Sequence, residues 1–220
     1  MSAPPARVAG YPVRVANVTY GALRLQLLLV KRLEEYVDAA ELLRNPDAPE
    51  PPYWAHLWPG SRALARLVAT AMECRGQRVV DIGCGLGLAG LAAAARGASV
   101  VMMDAVPAAV QFAAANAALN ACGASVVQTD LRHPGLRGRF DMCLAADVTY
   151  DPALQCALAD FLAAHLAPRG TAWCAESVRT FETGFRDACA ARGLRVSERE
   201  VHEPDDGRSV PVRLTAIRWP

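Results

Sequence analysis

The sequence predicts an α/β fold: a mainly parallel seven-stranded sheet with helices on both faces and an antiparallel C-terminal hairpin. Three observations carry this. Apolar, strand-like runs alternate with alanine-rich helical stretches from Val79 onward. The first run passes directly into a glycine loop, Val79-Val80-Asp81-Ile82-Gly83-Cys84-Gly85-Leu86-Gly87-Leu88-Ala89-Gly90. The last two, Leu194 to Val201 and Val212 to Trp219, have no helix between them, only a polar turn containing Asp205-Asp206-Gly207. Five strand–helix units and a closing hairpin therefore account for the core.

The elements follow in order. Leu23 to Val30 reads as a strand, and Leu33, Tyr36, Val37 and Ala40 recur at helical spacing up to Arg44. Asn45 to Pro52 holds four prolines and predicts an extended connector into Tyr53-Trp54-Ala55-His56-Leu57-Trp58-Pro59-Gly60. Extended geometry there sets Trp54, His56 and Trp58 on one face. Ser61 is the expected N-cap of a helix carrying Leu64, Leu67, Val68 and Ala71 on one side. Ser99 to Met103 is a strand ending in Asp104, Pro107 to Leu119 a helix, and Ser125 to Gln128 a strand followed by Asp130. Phe140 to Ala146 is closed by Asp147, and Asp151-Pro152 starts a helix expected to reach Ala167. Thr171 to Ala175 is the fifth strand, followed by a helix from Thr180 to Arg192 that Gly193 stops.

The length of 220 residues suits one domain, with 1–60 as an N-terminal extension and aromatic leader and 61–220 as the core. Hydrophobic residues make up 53 %, yet no apolar run reaches the ~20 residues of a membrane span. A net charge of +1 gives no electrostatic reason to expect nucleic acid or anionic membrane as partner. Met1 to Gly10 lacks the apolar core of a signal peptide, so a cytoplasmic protein is expected. The seven cysteines form no C-x-x-C pair and read as small core residues, not as metal ligands or disulfides.

The glycine loop is a nucleotide cradle, because Gly83, Gly85 and Gly87 permit positive φ and close approach of a ligand before a helix N-terminus. Gly85, Gly87 and Gly90 also satisfy G-x-G-x-x-G, so spacing leaves both NAD and S-adenosylmethionine open. Charge separates them. Asp81, Asp104, Asp130 and Asp147 stand at strand ends, and no Lys or Arg lies between Arg78 and Arg96 or between Arg96 and Arg132. Such a site repels a pyrophosphate and favours the sulfonium and ammonium of S-adenosylmethionine. A nicotinamide-dependent oxidoreductase is thereby disfavoured. Asp104, 23 residues beyond Asp81, takes the place of an acid that binds ribose hydroxyls. Asp151 is better placed than Asp147 to cap the following helix, which leaves Asp147 for function.

Asp81-Ile82-Gly83-Cys84-Gly85-Leu86-Gly87, then Asp104, then the antiparallel ending resemble the class I, Rossmann-like S-adenosylmethionine-dependent methyltransferases. Trp58-Pro59-Gly60 and Asp147-Val148-Thr149-Tyr150, an Asp-x-x-Tyr motif, resemble the small protein-lysine methyltransferases within them. Pro52-Tyr53-Trp54-Ala55 is similar to the branch acting on the electron transfer flavoprotein β subunit. Where that branch carries an Asp-Pro-Gly-Arg-like segment, this chain has Ala175-Glu176-Ser177-Val178-Arg179. The resemblance implies that the glycine loop seats the methionine moiety, Asp104 the ribose, Asp130 and Leu131 the adenine, and that Trp58 walls the cofactor. It implies Asp147 and Tyr150 as the catalytic pair facing a protein substrate that presents a lysine; a small-molecule amine or another protein side chain is the alternative acceptor.

Overall fold

In the computed structural model, which describes residues 4–37, 51–177 and 184–220, the apolar runs form a seven-stranded sheet. Its strands are β4 (Arg78–Ile82), β5 (Ser99–Asp104), β6 (Ala124–Gln128), β7 (Phe140–Ala146), β8 (Leu166–Ser177), β9 (Arg195–Asp205) and β10 (Arg208–Arg218), in the order β6-β5-β4-β7-β8-β10-β9. β4 to β8 run parallel, and β10 lies antiparallel between β8 and β9. Strand order reverses between β4 and β7, and ligands of open α/β sheets gather outside the carboxyl ends at that point.

Helices α1 (Pro59–Ala71), α2 (Leu88–Ala95) and α3 (Pro107–Leu119) cover one face, burying Leu64, Leu91 and Phe112. On the other face α4 (Pro152–His165) and α5 (Gly184–Ala190) bury Leu158, Leu162 and Phe185. Both faces are covered, which is why the central strands read as unbroken apolar runs.

The structure departs from the sequence reading in five places. A separate antiparallel sheet, β1 (Arg7–Val8), β2 (Tyr11–Tyr20) and β3 (Leu23–Val30), precedes the core, where only β3 was expected. Polar Arg14 and Asn17 interrupt the apolar alternation of β2 and hide it. The free edge of β3 is satisfied by α3: Asn120 Oδ1 accepts from Gln26 N at 2.8 Å and Asn116 Oδ1 from Leu28 N at 2.6 Å. Second, α1 starts at Pro59, whose fixed φ suits the first helical position; Ser61 lies inside and its hydroxyl donates to the Trp58 carbonyl at 2.8 Å. Third, α4 ends at His165 and β8 begins at once with Leu166. Fourth, the hairpin strands are longer than expected and close on a two-residue turn, Asp206 (φ +45°) and Gly207 (φ +75°). Fifth, Tyr53–Ala55 is one 3-10 turn and not extended, so Trp54 parts from His56 and Trp58. Of the helix expected up to Arg44, Leu33–Tyr36 is a 3-10 turn capped by an extended Val37; its remainder, most of the Asn45 to Pro52 connector and the start of the helix at Thr180 lie outside the described residues.

Candidate active site

At the end of β4, Gly83, Gly85 and Gly87 take φ of +60°, +52° and +82°, and the loop is pinned to β5 by Cys84 N donating to the Met103 carbonyl at 3.0 Å. Asp104 fixes it further, its Oδ2 accepting from Gly85 N and its Oδ1 from Val106 N, both at 2.9 Å. Asp81 Oδ2 accepts from Gly90 N at 2.8 Å, tying strand to helix. A Cβ on Gly85 would stand 2.9 Å from the Trp54 carbonyl oxygen, so the aromatic leader crosses the loop there. The glycines are therefore demanded by the protein's own packing as well as by any ligand.

Burial pushes the Asp81 carboxyl up to about 7, and burial raises Asp104 also. Asp130 differs. Arg132 grips it with guanidinium contacts from 2.6 Å and holds it down at about 2, while Leu131 turns into the core. Each bonded oxygen of Asp104 keeps a lone pair for a hydroxyl donor. Arg96 is spoken for by the Ala69 and Met72 carbonyls. With Arg132 also paired, the acids and amides suit a ligand bearing hydroxyls and positive charge, as S-adenosylmethionine does.

The ends of β7 and β8 carry different acids. Asp147 has φ +53°, and its Oδ1 accepts from both the backbone N–H and the hydroxyl of Ser177 at 2.8 Å. Its Oδ2 is buried with no hydrogen-bond partner among the described residues; it faces the amide end of α1, where Gly60 and Ser61 favour its charge. A Cβ on Gly60 would collide with this carboxylate. Asp147 thus has a structural duty, joining β8 to the start of α1, which its spacing from Asp151 did not reveal. Burial raises its pKa. Asp151 does cap α4, accepting from Ala153 N at 2.8 Å. Val148 and Thr149 are buried, and Gln155 Nε2 donates to the Thr149 carbonyl at 2.9 Å, so the loop is anchored and delivers Tyr150 outward, 62 % exposed.

Glu176 and Ser177 were not singled out by sequence reasoning. The signal was there: two polar residues ending an apolar strand at its carboxyl end. Glu176 is 5 % exposed with Oε1 unpartnered, and burial lifts it to about 7.

Beside Ser177 opens a cleft of about 500 Å³. Tyr53, His56 and Trp58 form one wall and Asp205, Asp206 and Pro211 the other. The His56 and Trp58 rings meet edge to face at 4.6 Å, and Trp58 Nε1 donates to the Tyr53 carbonyl at 2.9 Å. Trp54 turns the other way, 5.0 Å from the Phe112 ring. Burial lowers the His56 pKa. The structure thus gathers Asp81, Gly83, Gly85, Gly87 and Asp104 in the cradle and puts Trp58 in the cleft. The β7 loop touches both, Val148 against Gly83 and Asp147 bonded to Ser177 of the cleft.

Residues 53–146 match the methyltransferase small domain. Among curated relatives, the electron transfer flavoprotein beta subunit lysine methyltransferase of Xenopus laevis is 36% identical over 126 residues, 54% of this chain and 50% of that protein. Its Mus musculus counterpart is 32% identical over 146 residues, 66% of this chain and 56% of that one. The chain spans about half the length of these relatives. Among solved structures, the magnesium protoporphyrin IX methyltransferase of Synechocystis, with bound SAM, superposes with a TM-score of 0.57 at 20% identity, covering 72% of this chain and 77% of that one. By sheet order and by these likenesses the chain has the class I methyltransferase fold, with the match to the methyltransferase small domain confined to residues 53–146.

Proposed function

We propose that this chain is an S-adenosylmethionine-dependent methyltransferase whose acceptor is a lysine side chain of a protein. One observation carries the reading: the loop Asp147 to Tyr150 touches both the glycine cradle, through Val148 against Gly83, and the wall of the aromatic cleft, through Asp147 bonded to Ser177. The relatives' printed activity on a flavoprotein subunit supports the acceptor class. S-adenosylmethionine bound in the cradle supplies a methyl group on a sulfonium. Asp104 accepts from the ribose hydroxyls, Asp130 and Leu131 border the adenine, and the glycine-loop amides orient the ligand.

A lysine ammonium, with a pKa near 10.4, must be held and then lose a proton before it can act as a nucleophile. Asp147, bonded to Ser177 of the cleft wall, supplies negative charge behind the cleft, Tyr150 contacts the acceptor, and the proton leaves to water. Trp58 and Tyr53 supply ring faces, each worth about 0.5–2 kcal/mol to a cation. Seven cysteines without a disulfide fit a cytoplasmic setting.

Incubating the protein with tritiated S-adenosylmethionine and a host-cell extract, followed by digestion and mass spectrometry, tests this directly. Label on lysines of a protein is expected. Label confined to small molecules or to other side chains removes the lysine assignment, and failure of S-adenosylhomocysteine to raise the melting temperature removes the methyltransferase reading.

A further inference from the structure

The cleft has two unlike rims. On the leader side Val37 and Tyr53 are 40% and 51% exposed, large apolar side chains at the surface of the cleft. On the hairpin side stand Asp205 and Asp206. Asp205 is engaged by Arg62 at 2.6 Å, which also keeps that guanidinium from the cleft, whereas Asp206 makes no ion pair among the described residues. His56, the one basic group lining the cleft among the described residues, is held toward its neutral form by burial. An apolar rim facing an anionic one, with ring faces between, matches a polypeptide segment that carries both apolar and cationic side chains.

We infer that the cleft docks a basic segment of the protein acceptor, the Asp205–Asp206 turn holding a lysine or arginine that neighbours the methylated residue. This rests on the methyltransferase reading and adds to it a second cation-binding position that selects among acceptors. A lysine or arginine stem lies along Tyr53 and Trp58 while its charged end reaches Asp206.

An Asp-Gly pair also suits a tight hairpin turn in its own right. The test therefore uses Asp206→Asn, since asparagine adopts the same positive φ and removes only the charge. Three fluorescein-labelled 13-residue peptides, each with a central lysine and with arginine, alanine or glutamate on both sides of it, are titrated into the full chain saturated with S-adenosylhomocysteine. The arginine peptide is expected to bind about tenfold tighter than the glutamate peptide at low salt, with the gap falling to about twofold in Asp206→Asn and shrinking at high salt. Equal affinity for the three peptides, no binding of any, or a gap unchanged in Asp206→Asn overturns the inference. Circular dichroism of the variant confirms its fold. S-adenosylhomocysteine saturation is measured separately, so a protein that binds the nucleoside but shows no peptide preference loses only this inference.

Discussion

The carboxyl ends of β4 and β5 and the carboxyl ends of β7 and β8 both hold buried acids, under opposite conditions. In the first region Asp81 and Asp104 accept from Gly90, Gly85 and Val106, and their hydrogen bonds shape the cradle itself. In the second, Asp147 Oδ2 and Glu176 Oε1 are buried without a hydrogen-bond partner among the described residues. A buried acceptor left unpaired costs about 1–3 kcal/mol, so the second region carries a desolvation cost that the first avoids. The comparison teaches that acid count alone does not locate an acceptor site. What matters is which acids still lack a donor.

The largest effect tests the tightly packed region. Gly85→Ala adds a Cβ 2.9 Å from the Trp54 carbonyl at a φ of +52°, and should destabilise the fold by about 3–5 kcal/mol in urea unfolding. A cost under 1 kcal/mol would show that the leader does not cross the loop.

The next tests the second region. Glu176 has a folded-state pKa of about 7 against an ordinary 4.5, so between those values the native state holds a proton that the unfolded chain has released. Stability therefore falls as pH rises through that window, by up to about 3 kcal/mol. Arg213 across the strand lowers this pKa, and Asp147 and Glu198 raise it. Glu176→Gln should remove this slope and stabilise the protein at pH 8. An unchanged slope would assign the effect to the other buried acids, Asp81, Asp104 and Asp147, whose carboxyls burial raises with the same sign.

Asp104→Asn sharpens the contrast from the cradle side. It should weaken S-adenosylhomocysteine binding by about 2 kcal/mol in calorimetry while leaving the acceptor cleft intact. Equal loss of peptide binding would mean that the two regions are not separable.

The smallest effect gives a baseline for a satisfied polar pair far from both. Asn120→Ala leaves Gln26 without its 2.8 Å partner at the partly buried edge of β3 and should cost about 1 kcal/mol, with amide exchange rising in β2 and β3.

Much of the core was legible because both sheet faces are covered, so β4, β5 and β7 are continuous apolar runs ended by Gly or Asp. The acids Asp81 and Asp104 were legible for the same reason: a charged residue closing such a run has few uses other than a loop or a ligand. β2 was hidden because Arg14 and Asn17 interrupt its apolar alternation, and the edge of its partner β3 is completed by Asn116 and Asn120, about 90 residues away in sequence. Trp54, His56 and Trp58 were misassigned to one face because a single 3-10 turn changes the side-chain period from two to three.

The sequence by itself determined the strand–helix alternation, the antiparallel hairpin and the acid-rich glycine cradle, since each follows from local periodicity, backbone freedom and charge. Only the tertiary structure decided what those acids do. Asp147 became the link between Ser177 and the start of α1, Glu176 a buried carboxyl that holds its proton to about pH 7, and the β9–β10 turn the wall of a cleft, because burial and hydrogen-bond partners are set by segments tens to more than a hundred residues apart.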